Sequence, residues 1–358
     1  MVKLSVLDYA LIDEGKDAQK ALQDSVTLAK LADRLGFKRI WFTEHHNVPA
    51  FACSSPELLM MHTLAQTNHI RVGSGGVMLP HYRPYKIAEH FRMMAALYPN
   101  RIDLGIGNNP GTTMVKQALD GINPTYDSYD ESISLLRDYL TIKDKPSAHT
   151  LGVQPHIDHF PEMWLLSSSA TSAKIAAELG IGLSVGTFLL PDINAIHAAK
   201  DNIDIYKKHF QASTIKMDAK VMASVFVIVA DNEAEVASTI KMDAKVMASV
   251  FVIVADNEAE VAALQHALDV WLLGKLQFAE FEHFPSVDTA QKYKLNDRDK
   301  EMIQAHQARI IAGTQEQVRA QLDDFIATFE VDEVLVAPLI PGIEQRCKTL
   351  KLLAEIYL

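Results

Sequence analysis

The sequence predicts an α/β fold of the (β/α)8 TIM-barrel class, a single domain over residues 1–358. Three observations carry that expectation. Short β-rich runs alternate with longer segments of helical period from one end of the chain to the other. Counting one copy of an internal duplication, the strands number eight, each separated from the next by a helix, as parallel βα units require. The first strand is followed by no glycine-rich dinucleotide turn, which disfavours a doubly wound open sheet, the runner-up.

Taken in order, residues 3–9 form the first strand. Residues 16–35 form a helix with Leu22, Val26, Ala29 and Leu35 on one stripe and Gly36 as its stop. Residues 39–43 are the second strand and 56–67 the second helix, capped by Ser54 or Ser55. Strand three is 70–79 and its helix 85–98; strand four is 101–107, followed by a helix over 126–140. Strand five is 163–167, with a helix over 173–179 closed by Gly180, and strand six is 183–187 with a helix over 192–209. The run VMASVFVIVA supplies strand seven, and 257–273 the helix after it. The last strand is 331–336, flanked by helices over 314–329 and 342–357. Residues 276–296 lack a clear period and carry Phe278, Phe281, Phe284 and Tyr293, which suggests an insertion near strand seven acting as a lid.

Residues 212–236 recur letter for letter as 237–261. Solenoid repeats diverge in sequence and run to three or more units, so two identical adjacent copies are not a repeat architecture. One copy of VMASVFVIVA can be strand seven; the other has no assigned place and is an aggregation hazard if exposed.

The net charge of −11, from 45 acidic and 34 basic side chains, excludes an ordinary electrostatic nucleic-acid binder. No apolar run reaches the roughly 20 residues a membrane helix needs. Asp8, Asp13 and Glu14 stand where a signal peptide would be basic and then apolar, so a cytoplasmic protein is expected. Cys53 and Cys347 form neither a disulfide framework nor a zinc set.

Barrel chemistry is expected at the C-terminal ends of the strands. Strand two ends in Thr43-Glu44-His45-His46. The HExxH spacing of a zinc site is absent and no third ligand cluster is evident, so no metal is expected. An imidazole at a barrel mouth is a plausible acid or base near neutral pH. Strand three holds Gly73-Ser74-Gly75-Gly76, glycines that mark either barrel packing or a bulge and the close approach of a flat ligand. Strand four ends in Gly105-Ile106-Gly107-Asn108. Strand five ends in Ser167-Ser168-Ser169-Ala170-Thr171-Ser172, which is either an ordinary N-cap or an anion site at a helix N-terminus.

Together the segments TEHHNVP, VGSGGVMLP with PYKIAEHF, RIDLGIG and WLLSSSATSAKIAAELG resemble the bacterial luciferase-like flavin monooxygenases, and closest of these the uncharacterised bacterial branch. The resemblance is close from Lys3 to about Thr187 and resumes in GTQEQVRAQLDDF and VDEVLVAP. It implies a barrel that binds FMN in its reduced form, delivered by a separate flavin reductase, and that uses oxygen on a small organic substrate. His45 would be the active-site imidazole, with Glu44 orienting or neutralising its surroundings. Gly75 and Gly76 would form the strand-three bulge, often a non-proline cis peptide, against the flavin face. Ser168, Ser169 and Ser172 would cradle the phosphate. At Asn108 the family usually places an arginine, which implies a looser hold. The resemblance also implies a homodimer. Asn108 leaves open a deazaflavin F420-dependent oxidoreductase on the same barrel, and a non-catalytic flavin-binding protein is a third reading. Hydrolysis by a carboxylate pair is disfavoured, because no second acid joins Glu44 at the strand ends.

Overall fold

The computed structural model describes residues 2–119, 128–143, 146–186, 193–215, 218–225, 227–230, 258–274, 281–307 and 310–358. Its strands are β1 Lys3–Asp8, β2 Arg39–Phe42, β3 Arg71–Met78, β4 Ile102–Gly107, β5 Glu162–Leu166, β6 Gly182–Gly186, β7 Val221–Val225, β8 Val227–Ala230, β9 Ile311–Thr314 and β10 Glu333–Val336. Eight of them close a parallel barrel in the order β1-β10-β7-β6-β5-β4-β3-β2, as the alternation of elements predicts. Barrel strands meet side chains inside and helices outside, and so read as nearly continuous apolar runs; all of Ile40, Trp41 and Phe42 are buried.

The helices are α1 Ala18–Leu35, α2 Pro56–Leu64, α3 Pro84–Leu97, α4 Thr113–Leu119, α5 Tyr129–Thr141, α6 Ala170–Glu178, α7 Ile193–His209, α8 Glu258–Leu272, α9 Val287–Lys292, α10 Asp297–Gln307, α11 Gln315–Phe329 and α12 Ile343–Tyr357. Asp17 caps α1 by accepting the Lys20 N–H, and Gly36 ends it in the left-handed region at φ 87°. Asp33, near the end of α1, accepts the backbone N–H groups of Asn68, His69 and Ile70 and so ties the helix to the turn entering β3. Burial alone would raise the Asp33 pKa, but these three donors hold it below the usual carboxylate value.

The N-terminal end of the barrel is plugged by charge. Arg39 is buried and donates to Asp103 at 2.7 Å and to both oxygens of Glu333 at 2.7 and 3.1 Å. Asp103 also accepts from Arg71 and from the Trp41 indole N–H, and the Ser5 hydroxyl donates to Glu333. The Arg39 guanidinium lies 5.0 Å from the centroid of Trp164. Burial on this scale is tolerated because each of these charges meets an opposite one, Arg39 and Glu333 with bidentate geometry.

Four sequence expectations change. The run 221–230 does not serve one sheet: β7 joins the barrel between β6 and β10, while β8 pairs in parallel with β9 in a separate two-stranded sheet. A continuous apolar run carries no periodic mark of such a change of partner. β9 has no counterpart among the expected strands because it is short and runs straight into Thr314, which caps α11 reciprocally with Gln317. The helix expected over 126–140 starts at Tyr129, because Ser128 and Glu131 form a capping box there. The Ser55 at the N-cap of α2 makes no side-chain cap bond.

Both described strands of the duplicated block come from its first copy. The second copy, 237–261, lies outside the described residues except for its last four, which open α8. Of the expected lid, 276–280 also lie outside them. The remainder holds α9 and is pinned to the loop after β1: Glu14 accepts the Ser286 N–H at 3.0 Å and the Thr289 hydroxyl at 2.9 Å, and Phe284 pairs with Asp13.

Candidate active site

The strand ends at the C-terminal mouth of the barrel bring His45, Gly75, Gly76 and the serines of the β5–α6 turn to one end of the molecule. Directly after β2 the chain turns so that neighbouring side chains part. The backbone N–H of His45 donates to the Cys53 carbonyl at 3.0 Å, and its Nδ1 lies 3.0 Å from the Thr43 hydroxyl. The half-buried ring stacks on Tyr9 at 5.4 Å and 25°, and Phe51, itself 5.3 Å from Tyr9, completes a cluster of three rings at 4.7 Å from His45. This enclosure, with a smaller contribution from neighbouring His46, pushes the His45 pKa down to about 4. At neutral pH the imidazole is uncharged.

Glu44 points elsewhere. Its Oε2 accepts the Met78 N–H at 3.0 Å, and its Oε1 accepts the Tyr82 hydroxyl at 2.7 Å and lies 2.8 Å from His46 Nε2. The carboxylate thus latches the end of β2 to the end of β3 and holds His46, not His45. Burial, then the Glu44 charge and hydrogen bond, raise the Tyr82 pKa. His46 meets the ring of His81 edge-on at 6.4 Å, and His81 Nε2 lies 3.1 Å from the Pro110 carbonyl.

Gly75 and Gly76 occupy a bulge, where the register of β3 against β4 shifts between Ser74 and Val77, and the bond joining them is cis. They are half-buried in a strand whose neighbours on either side, Ser74 and Val77, are buried. A Cβ on Gly75 would lie 2.7 Å from Leu7 Cδ1, and one on Gly76 would lie 2.8 Å from the Gly105 carbonyl. A Cβ at either position would crowd a neighbour, so this stretch of β3 carries no side chain.

At the turn into α6, Ser169 is the N-cap and accepts the Ser172 N–H at 3.2 Å, while its hydroxyl donates to Ser172 Oγ at 3.0 Å. Ser167 Oγ accepts the Ser169 N–H, and Asn202 from α7 donates to the Ser168 carbonyl at 2.5 Å. The turn lies at the positive end of a helix dipole, and its hydroxyls and amides are paired with one another. Asn108, just past β4, is exposed. Burial pushes the Cys53 thiol up to about 12, which makes it inert as a nucleophile. Among the described residues no three His, Cys, Asp or Glu side chains gather as a metal site, and no helix is long and apolar enough to cross a membrane.

The strand-end motifs are legible in the sequence, but nothing in it points to Tyr9 and Phe51, which arrive from just beyond β1 and from the loop before α2. Thr43 stands inside the strand-two motif without marking itself out; its place two residues before His45, on the same side of the chain, is the available signal.

A family model described as luciferase-like monooxygenase matches residues 2–243. The uncharacterised Bacillus subtilis (strain 168) protein YwcH is 36% identical over 361 aligned positions, which cover 100% of this chain and 99% of that one. The crystal structure of apo-MsnO8 superposes with a TM-score of 0.80 at 30% identity, covering 100% of this chain and 98% of its own. At 15% identity and a TM-score of 0.68, covering 99% and 97%, the oxygenating constituent of 3,6-diketocamphane monooxygenase from Pseudomonas putida, solved with FMN, shares the fold. The chain belongs to the luciferase-like monooxygenase family, oxidoreductases that incorporate molecular oxygen.

Proposed function

We propose that this protein is the oxygenating component of a two-component monooxygenase, using FMN reduced by a separate reductase to oxygenate a small organic substrate. The observation that carries this reading is the side-chain-free bulge at Gly75–Gly76 in β3, next to the strand that ends at the clustered His45 imidazole. A flat ring needs a flat wall, and steric room at 75 and 76 admits only backbone. The residues present also fit the other end of the cofactor: the Ser168, Ser169 and Ser172 turn at the start of α6 suits a phosphate.

When bound, reduced FMN supplies the two electrons with which O2 gives one oxygen atom to the substrate and the other to water. The protein's part is positional. Tyr9 and Phe51 cover one side of the His45 ring, and His45 offers a neutral ring nitrogen to the oxygen in transfer. Glu44 keeps the ends of β2 and β3 in register through the Met78 N–H. Asn108 offers neutral hydrogen bonds where the family has a guanidinium, a loss of about 1.5–3 kcal/mol, or roughly tenfold to hundredfold in affinity. Weaker retention suits a flavin that arrives from a reductase.

Asn108 is also the observation that favours a second reading, an F420-dependent oxidoreductase. Titrating the protein with FMN, anaerobic FMNH2 and F420 separates the two. FMNH2 should bind with a Kd of about 10 μM or less, and in air the wild type should couple its oxidation to product while His45→Ala releases mainly hydrogen peroxide. Preferential binding of F420, or uncoupled oxidation by the wild type across a substrate panel, would overturn the proposal.

A further inference from the structure

The Thr43 side chain is buried at 3% exposure, and among the described residues its hydroxyl has one partner, His45 Nδ1 at 3.0 Å. A hydroxyl must place its single proton, and a buried O–H left without an acceptor costs about 1–3 kcal/mol. Two arrangements are open to this pair. If Nδ1 carried the imidazole proton and donated it to Thr43, the hydroxyl proton would have no acceptor. If Nδ1 is the bare nitrogen, it accepts the Thr43 proton and both groups are satisfied.

We infer that Thr43 is a positioning residue that donates its hydroxyl proton to His45 Nδ1, fixing the imidazole as the Nε2–H tautomer and making His45 a hydrogen-bond donor at the barrel mouth. Three further features support this. The ring is held beside Thr43 by its packing in one cluster with Tyr9 and Phe51, and its backbone N–H is tied to the Cys53 carbonyl. Nε2 takes no protein partner among the described residues and is not sealed from solvent, so the proton it carries is available to a ligand. The ring is neutral at pH 7, chiefly through burial, so a tautomer exists to be selected.

The charged groups nearby do not compete for Nδ1. Glu44 is committed to Met78, Tyr82 and His46, and Cys53 is held as the thiol. The arrangement is the reverse of a carboxylate–histidine pair. A carboxylate would accept from Nδ1–H and leave Nε2 a base, whereas a hydroxyl donating to Nδ1 leaves Nε2 a donor. An N–H donor stabilises negative charge developing on an oxygen atom and cannot remove a proton from the substrate. That consequence rests on the proposed oxygen transfer; the tautomer itself does not.

The test therefore begins without cofactor. Long-range proton–nitrogen NMR on the full chain with 15N-labelled histidine, with the His45 signals assigned by their loss in His45→Gln, reads the tautomer directly. The wild type should be predominantly Nε2–H. Thr43→Val should shift the tautomer ratio by about tenfold toward Nδ1–H, the worth of one net hydrogen bond, and Thr43→Ser should restore it. In turnover with FMNH2, Thr43→Val should lower the fraction of oxygen that reaches product with little change in substrate KM, again rescued by serine. A wild-type ring in the Nδ1–H form, or a ratio unmoved in Thr43→Val, overturns the inference. Should Thr43→Val not fold, the wild-type tautomer and the serine variant still decide it. If FMNH2 fails to bind while the tautomer is as stated, the cofactor reading falls and the role of Thr43 stands.

Discussion

Alanine substitutions at three glycines of the mouth should differ sharply, and the order follows from what each new Cβ would meet. On Gly76 it would meet Gly105 C and O at 2.8 Å and Ile106 N at 2.9 Å, all backbone of the adjacent strand β4. No side-chain rotation relieves that contact, so β3 and β4 would have to separate by several tenths of an ångström at the bulge. On Gly75 the nearest atom, at 2.7 Å, is the end of the Leu7 side chain, which can turn, with Trp41 Cβ next at 3.1 Å. On Gly107 the Cβ would meet nothing within 4 Å. Overpacking in a well-packed interior costs about 1–3 kcal/mol, so Gly76→Ala belongs at or above the top of that range, Gly75→Ala near the bottom and Gly107→Ala near zero. At roughly 2–4 °C of Tm per kcal/mol for a domain somewhat smaller than this one, Gly76→Ala should melt several degrees below the wild type, while Gly107→Ala melts at the wild-type temperature. Flavin fluorescence titration should show FMN affinity falling most for Gly76→Ala, because the floor itself moves. Equal Tm and equal affinity for Gly76→Ala and Gly107→Ala would refute the view that this strand end has room for backbone alone.

Asp269, on α8, is buried with one carboxylate oxygen that meets no partner among the described residues, and burial raises its pKa to about 7. The unfolded chain releases this proton near pH 4 and the folded chain near pH 7, so the folded state binds more protons between those values and stability falls as pH rises through them. Urea unfolding should show Asp269→Asn gaining stability relative to the wild type by a few kcal/mol between about pH 4 and pH 8, on the order of 1.4 kcal/mol for each pH unit separating the folded and unfolded values. A constant difference across that range would contradict the assignment. Deletion of 237–261 should leave solubility, Tm and FMN affinity unchanged or better. The strands β7 and β8 come from the first copy, and residues 233–236 have the same sequence as 258–261 and would open α8 in their place. Loss of soluble protein on that deletion would show that the second copy carries structure.

The barrel is legible in the sequence because its strands are buried on both faces and its helices on one, which writes two different periods into the chain. What stays hidden is what periodicity does not encode. The change of sheet between β7 and β8 falls inside an unbroken apolar run. Arg39, Asp103, Glu162 and Glu333 each look like surface charges in sequence, since they are separated by up to 294 positions and meet only when the sheet closes. At the site, the motif containing Glu44 and His45 could be placed at a strand end, but the partner of each side chain could not. Adjacent residues there face different neighbours, so the carboxylate next to His45 in sequence serves His46, and the group that touches His45 is the hydroxyl two positions earlier.

The two ends of the barrel are also mechanically joined, and Trp41 is the joint. Its indole N–H donates to Asp103 at 3.1 Å, inside the charge network, while its ring and Cβ stand where side chains on Gly73 and Gly75 would go, 2.6 and 3.1 Å from the places their Cβ atoms would take. The network fixes Asp103 through Arg39 and Arg71, Asp103 fixes the indole, and the indole backs the strand just below the bulge. A flat floor made only of backbone has no side chains of its own to hold its shape, so its rigidity has to come from beneath. Loosening the charged end, far from the mouth, therefore reaches Gly75 through packing in the barrel interior, where close contact transmits displacement. The stability of the plug and the geometry of the floor are for this reason not independent properties of the chain.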